Sequence, residues 1–280
     1  MVVLPPKAVI ACVHLLPTPG SPGYGGKVED IYESALAETE TYLRHGVDAL
    51  IVENFRDTPF HPHTVPPETT ATIAGVTREI VRMASVPTGV AVLRNDATAA
   101  LAIATATGAD FIRVNVHVGA VLAEQGLVTG QAHETLRLRR TLGSDVAVFA
   151  DARVKHSQPF VYPDLATEVR DLALRADGVI VSGELTGLET SPQDLLTART
   201  ATSGPLFVGS GVTPENLPSV YDCADGFVVG SYFKASGVPR NPVDESRVAA
   251  LMESVRALRA ARAGTHRPMH DTAIQHDTDR

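Results

Sequence analysis

Positive charge is what this chain is short of. Its 24 lysines and arginines stand against 32 aspartates and glutamates, a formal net charge of −8. Binding a phosphate polymer takes a basic surface, so a general nucleic-acid binder is excluded, whereas one small phosphorylated ligand held by backbone amides is not. Cysteine is scarce as well. Cys12 and Cys223 lie far apart at no metal-ligand spacing, and Cys12 sits in an apolar run as a small hydrophobe. Such a pair builds no disulfide framework, which fits a reducing compartment. No apolar stretch approaches a membrane span, and the N-terminus lacks a charged-then-apolar signal pattern. A cytoplasmic protein with neither membrane nor nucleic-acid partner is expected. Walker motifs, a G-x-G-x-x-G opening a first βα turn and any dedicated redox-cofactor motif are missing too.

What is present is a regular alternation of short apolar runs with longer amphipathic segments. Strands are expected over 8–14, 49–54, 88–93, 111–117, 146–151, 178–182, 206–209 and 226–230. Helices are expected over 27–45, 67–84, 97–107, 133–142, 164–176, 192–202, 214–221 and 245–259. Asp96 and Ser191-Pro192 read as helix starts, Gly46 and Gly108 as helix stops. The strands are rich in Val, Ile and Phe with little alternation, as when both faces are covered. Eight such units predict a (β/α)8 TIM barrel over residues 1–263, with a polar, disordered tail over 264–280 that carries His266, His270 and His276. An open doubly wound sheet is the rival, but its phosphate glycines usually follow the first strand.

In this chain the glycines follow the last two strands. The seventh ends in Gly209-Ser210-Gly211 and runs into a helix-start signal, Thr213-Pro214-Glu215; the eighth ends in Gly230-Ser231. Glycine lets backbone N–H groups approach an anion, and a helix N-terminus adds favourable partial charge. These turns predict a phosphate site at the ends of strands seven and eight.

Barrel function sits where strands end and βα loops begin. That rule selects His14, Glu53 and Asn54, Asn115, Asp151 with Lys155 and His156, and, after the sixth strand, Glu184. Glu53 and Asp151 follow apolar residues, where a carboxylate without a partner is costly and its pKa rises towards neutrality, suiting it to acid–base work, with a structural ion pair or a loop cap as the alternative. Asn54 and Asn115 offer neutral contacts for sugar hydroxyls or a developing oxyanion, with loop support as the alternative. Lys155 reads as a Schiff-base amine, a phosphate ligand or a solvated charge, with an ion pair to Asp151 as the default. His14 and His156 are proton shuttles or packed rim histidines. His61-Pro62-His63 beside Asp57 is a weak ligand pattern, so no metal site is assigned and no cofactor is expected, although a divalent ion stays open. The Gly- and Pro-rich first loop and the 57–67 loop are candidate lids.

At these residues the sequence resembles the BtpA/SgcQ family. The shared features are the opening from Val13 to Pro22, Glu53-Asn54-Phe55, Asn115 within Arg-Val-Asn-Val, Asp151 to His156, and the Gly209-Ser-Gly and Gly230-Ser turns. The resemblance runs from about residue 8 to residue 260 and departs from the pattern at Arg153 and in the tail. It implies the barrel and leaves the reaction open, since the family takes its name from a protein implicated in photosystem I accumulation and another branch lies among sugar-utilisation proteins.

The site itself predicts an enzyme for a phosphorylated sugar or nucleoside 5′-phosphate. Glu53, Asp151, Lys155, Asn115 and His14 would be the catalytic groups, acting at the anomeric carbon in N-glycosidic hydrolysis or ribosyl transfer. Asn54, His156, Glu184, Gly209, Ser210, Gly211, Gly230 and Ser231 would bind the substrate. The alternatives are a sugar-phosphate isomerase or lyase, a non-catalytic assembly or stability factor, and a sensor without turnover. A homo-oligomer is expected.

Overall fold

The computed structural model describes residues 2–162, 164–183 and 189–265. Eight parallel strands close into a barrel: β1 (Ala8–His14), β2 (Ala49–Glu53), β3 (Thr88–Ala91), β4 (Phe111–Val114), β7 (Ala147–Ala152), β9 (Gly178–Val181), β10 (Leu206–Val208) and β11 (Gly226–Val229), which returns to β1. The helices between them are α1 (Val28–Arg44), α2 (Pro67–Met83), α3 (Ala97–Thr107), α4 (Ala132–Thr141), α5 (Leu165–Ala173), α6 (Pro192–Ala201), α7 (Leu217–Val220) and α8 (Glu245–Thr265). The expected TIM barrel is therefore the fold, and α3 shows why its boundaries were readable. Asp96 accepts a hydrogen bond from the Ala99 N–H, and Gly108 closes the helix at φ 81°, a left-handed turn that favours glycine.

Side chains alternate across each barrel strand and so build two cores. Val9, Ala11 and Val13 of β1 and Leu50 and Val52 of β2 pack outward with helix residues such as Ile31, Ala35 and Ile73. Ile10, Ile51, Phe111, Phe149, Ile180, Phe207 and Val228 fill the barrel interior. Phe149 packs at a tilt against both Phe111 and Phe207, with ring centroids 4.9 and 5.0 Å away. This interior layer closes the barrel beneath its mouth.

Two expectations are corrected. A three-stranded antiparallel sheet, β5 (Ala120–Ala123), β6 (Gly126–Thr129) and β8 (Ser157–Pro159), is added from the loops that follow β4 and β7. Val116, Val121, Val128 and Val154 form its own small core. The helix expected over 214–221 shrinks to the four residues of α7. Thr213 and Asn216 form a reciprocal turn, in which the Thr213 N–H donates to Asn216 Oδ1 at 2.9 Å and the Asn216 N–H to Thr213 Oγ1 at 3.4 Å. That turn holds the chain out of the helix until Leu217. Both cysteines are free, and among the described residues no helix is long and apolar enough to cross a membrane. Of the tail expected over 264–280, Gly264 and Thr265 continue α8, and the rest lies outside the described residues.

Candidate functional site

Along four of the barrel strands, the inward positions beyond the apolar interior layer turn polar. Ile10 is followed by Cys12 and His14, Ile51 by Glu53, Phe111 by Arg113 and Phe149 by Asp151. These residues line a cavity of about 580 Å³ at the C-terminal end of the strands, where barrel chemistry is found.

Arg113 is the hub of the floor. Its Nε and Nη2 donate to Asp151 Oδ1 and Oδ2, each at 3.1 Å, and its Nη1 donates to Glu53 Oε1 at 3.1 Å. Burial alone would lower the Arg113 pKa, but the Asp151 and Glu53 carboxylates outweigh it and hold the guanidinium firmly charged. Both carboxylates thus take part in the structural ion pair that was the alternative expectation for them. An arginine in an otherwise apolar strand, Phe-Ile-Arg-Val, was the signal that could have found the bridge.

Asn115 donates to Asp151 Oδ2 at 2.6 Å, while its own Oδ1 is buried without a hydrogen-bond partner. Lys155 does not pair with Asp151 as expected; its Nζ donates to the Gly209 carbonyl at 2.8 Å. Burial, reinforced by Arg113, lowers this amine to about 8. His14 lies 3.7 Å from Glu53 through Nε2, and its Nδ1 donates to the Pro239 carbonyl at 3.2 Å. Burial, with the nearby Lys234 ammonium, pushes the imidazole well below its ordinary pKa, so the ring is neutral. Lys234 itself is fully buried and pairs with Glu38 at 2.6 Å, and Glu38 also accepts from the His14 N–H at 3.3 Å. Burial raises the thiol of Cys12 far above its usual value.

Gly209, Ser210, Gly211, Gly230 and Ser231 line one wall of the same cavity, and exposed His156 lies on its rim. The physical basis for a phosphate cradle here differs from the expectation. A Cβ on Gly209 would meet Ser182 Oγ and Ile180 Cγ2 at 2.5 Å, and its N–H already donates to the Val181 carbonyl at 2.7 Å. Gly209 is required by the neighbouring strand, and α7 is too short to lend a helix dipole. Asn54 lies outside the cavity lining: its amide donates to Asp57 and to the Leu93 carbonyl, and its Oδ1 accepts from the Leu93 N–H. It ties the second loop down instead. Asp57 accepts from the Thr18 N–H and Oγ1 at 2.7 Å, so it joins the first two loops rather than serving a His61/His63 metal site. Glu184 lies outside the described residues.

The cavity wall also gathers charge, of which only Lys155, Glu53 and Asp151 were expected from the sequence. Arg94, Arg113, Lys155, Arg240 and Arg247 line it against Glu53, Glu124 and Asp151, a cationic excess within a chain of net charge −8. Arg247 is held over the Tyr232 ring, 4.2 Å from its centroid, and Arg94 donates to the Lys155 carbonyl at 2.5 Å. Glu124 and Gln125, at the β5–β6 tip, bring the small sheet to the rim.

A family model described as the BtpA family matches residues 5–257. The chain is 43% identical over 250 residues to "Photosystem I biogenesis protein BtpA" of Synechocystis sp., covering 88% of this chain and 87% of the relative. It is 40% identical over 253 residues to an uncharacterized protein of Pyrococcus furiosus, covering 90% and 96%. Among solved structures, N-(5′-phosphoribosyl)anthranilate isomerase from Pyrococcus furiosus matches with a TM-score of 0.56 at 17% identity, covering 90% of this chain and 99% of that one. A structure described as native KDPGal matches with a TM-score of 0.57 at 18% identity, covering 94% and 100%. At such identities the structural likeness speaks for the barrel alone.

Proposed function

The chain belongs to the BtpA family, and from that premise we propose that it is an enzyme acting on a small phosphorylated sugar or nucleoside 5′-phosphate at the anomeric carbon. One observation carries the reading: an acidic chain lines its barrel mouth with more cations than carboxylates. Buried or cleft-lining positive charge is costly without an anion to meet it, and an anionic ligand is concentrated by such a field. Arg240, Arg247 and the Gly211, Gly230 and Ser231 backbone would take the phosphate, leaving the floor for the sugar.

On that floor the two carboxylates held by Arg113 would stabilise positive charge building on the ring as the bond to the leaving group lengthens. Glu53 Oε2, which Arg113 does not engage, would accept a proton from attacking water. The partnerless Asn115 Oδ1 is an acceptor for a sugar hydroxyl, since a buried acceptor left unpaired is unfavourable. A sugar-phosphate isomerase or lyase is the second reading, favoured by Lys155, whose amine has a carbonyl rather than a carboxylate as its hydrogen-bond acceptor. A non-catalytic assembly role, suggested by the name of the Synechocystis relative, gives no reason for this convergence of charge. The test is turnover of a panel of nucleoside 5′-monophosphates and sugar phosphates, followed by released base or changed sugar. Loss of product in both Glu53→Gln and Asp151→Asn supports the reading; product formation unaffected by either substitution overturns it.

A further inference from the structure

On the floor of the proposed sugar site, Glu53 also belongs to a second arrangement, whose sulfur and imidazole the reaction above does not use. We propose that Cys12, His14 and Glu53 form a site for one divalent transition-metal ion of the zinc type. The sulfur, a ring nitrogen and a carboxylate oxygen of these buried residues all lie within 4.8 Å of one another. The barrel itself brings them together: Cys12 and His14 are successive inward positions of β1, and His14 is the register partner of Glu53 on β2. Sequence spacing hid the set because its third member comes from another strand.

The proton positions favour a cation. A carbonyl oxygen only accepts, so the bond to Pro239 puts the imidazole hydrogen on Nδ1. In the neutral ring this turns the Nε2 lone pair towards Glu53 Oε2, and at 3.7 Å no proton is shared between them. Glu53 gives its other oxygen to Arg113, and Cys12 is buried and in no disulfide. A thiol, an imidazole lone pair and a carboxylate oxygen thus face one another in a buried place, and a cation that displaces the thiol proton would be held by all three.

The histidine is also braced as metal ligands are. A backbone carbonyl holds its far nitrogen, and Phe55 stacks on the ring at 4.2 Å and 14°. Gly230 leaves the approach open, since a Cβ there would stand 3.2 Å from Nε2 and Cε1. Sulfur, nitrogen and oxygen donors together suit zinc and its neighbours and not magnesium or calcium. All three residues line the cavity, so the remaining coordination position would open to water or to an oxygen of the ligand. The inference shares Glu53 with the proposed reaction but does not rest on the phosphate reading.

Cobalt(II) titrated into the chelator-stripped full chain tests it. The expected result is one equivalent bound with an intense sulfur-to-cobalt charge-transfer band. That band separates this site from any made of histidines alone. Cys223→Ser should keep the band and Cys12→Ser should lose it. His14→Ala and Glu53→Gln should weaken binding by at least the roughly 10–100-fold that loss of a supporting partner costs. Circular dichroism and melting of each variant separate ligand loss from unfolding, and Cys12→Ala replaces Cys12→Ser if the latter does not fold. No thiolate band in the wild-type chain, or a band that follows Cys223, overturns the proposal. Phosphate-ligand binding that survives that failure would leave the proposed function standing.

Discussion

Two layers of the barrel interior lie one inward position apart on the same strands, and they are built on opposite principles. Ile51, Phe111 and Phe149 fill space; Glu53, Arg113 and Asp151, two residues further on, hold charge. The lower layer is stable because it is packed. The upper is tolerated only because each charge answers another, and it leaves a cavity above it. The same strand geometry serves both, so the step between them marks where the chain stops spending its residues on stability.

The sharpest way to break this comparison is to remove one residue from each layer. Phe149→Ala should cost about 3–5 kcal/mol by leaving a cavity, measured by denaturant unfolding. Arg113→Met should cost a similar amount, about 3–5 kcal/mol, because two carboxylates lose their counter-charge. The layers should then part company. Adding Glu53→Gln and Asp151→Asn to Arg113→Met should restore a good part of the loss, whereas no change of charge should rescue Phe149→Ala.

Within the upper layer, Asp151→Asn should lower turnover at least about 10²-fold, near 3 kcal/mol of barrier, while the melting transition stays cooperative. Pre-steady-state or steady-state assay on the substrate found by the panel reads it. An intact rate would remove Asp151 from the chemistry.

A smaller effect isolates Lys155. With its amine lowered to about 8 in the folded chain from 10.5, the unfolded chain binds more protons between those values. Its unfavourable contribution is therefore fully present below pH 8 and fades as pH rises towards 10.5. Lys155→Met should be more stable than wild type by about 1–2 kcal/mol at pH 7, and the gap should close across that window in paired melts. A pH-independent difference would mean the amine is not strained by burial.

The lower layer and the fold were legible because the physics there is local. Apolar runs, the Asp96 cap and the Gly108 stop carry their own signals. The small sheet was missed because β5 and β6 are partly exposed and so lack the barrel strands' runs buried on both faces, and β8 has the sequence Ser-Gln-Pro, with neither β-branched nor aromatic residues. At the mouth, the strand-end rule brought out His14, Glu53, Asn115, Asp151 and Lys155, all of which line the cavity. Their partners were not legible. Arg113 bridges residues 60 and 38 positions away, and Lys155 reaches Gly209 across 54. Asn54 shows the converse, a strand-end residue whose bonds are all taken by Asp57 and Leu93.

The most direct test of the central claim, that the charged mouth holds a phosphorylated small molecule, is a thermal-shift comparison of sugar phosphates and nucleoside 5′-monophosphates with their unphosphorylated counterparts. A ligand at a hundred times its Kd adds about 2.7 kcal/mol to the folded state, a rise of several degrees for a chain of this size. The account predicts that rise for at least one phosphorylated member, its reduction in Arg247→Ala, and little change with the matching sugar or nucleoside. Equal stabilisation by the phosphorylated and unphosphorylated forms would contradict it.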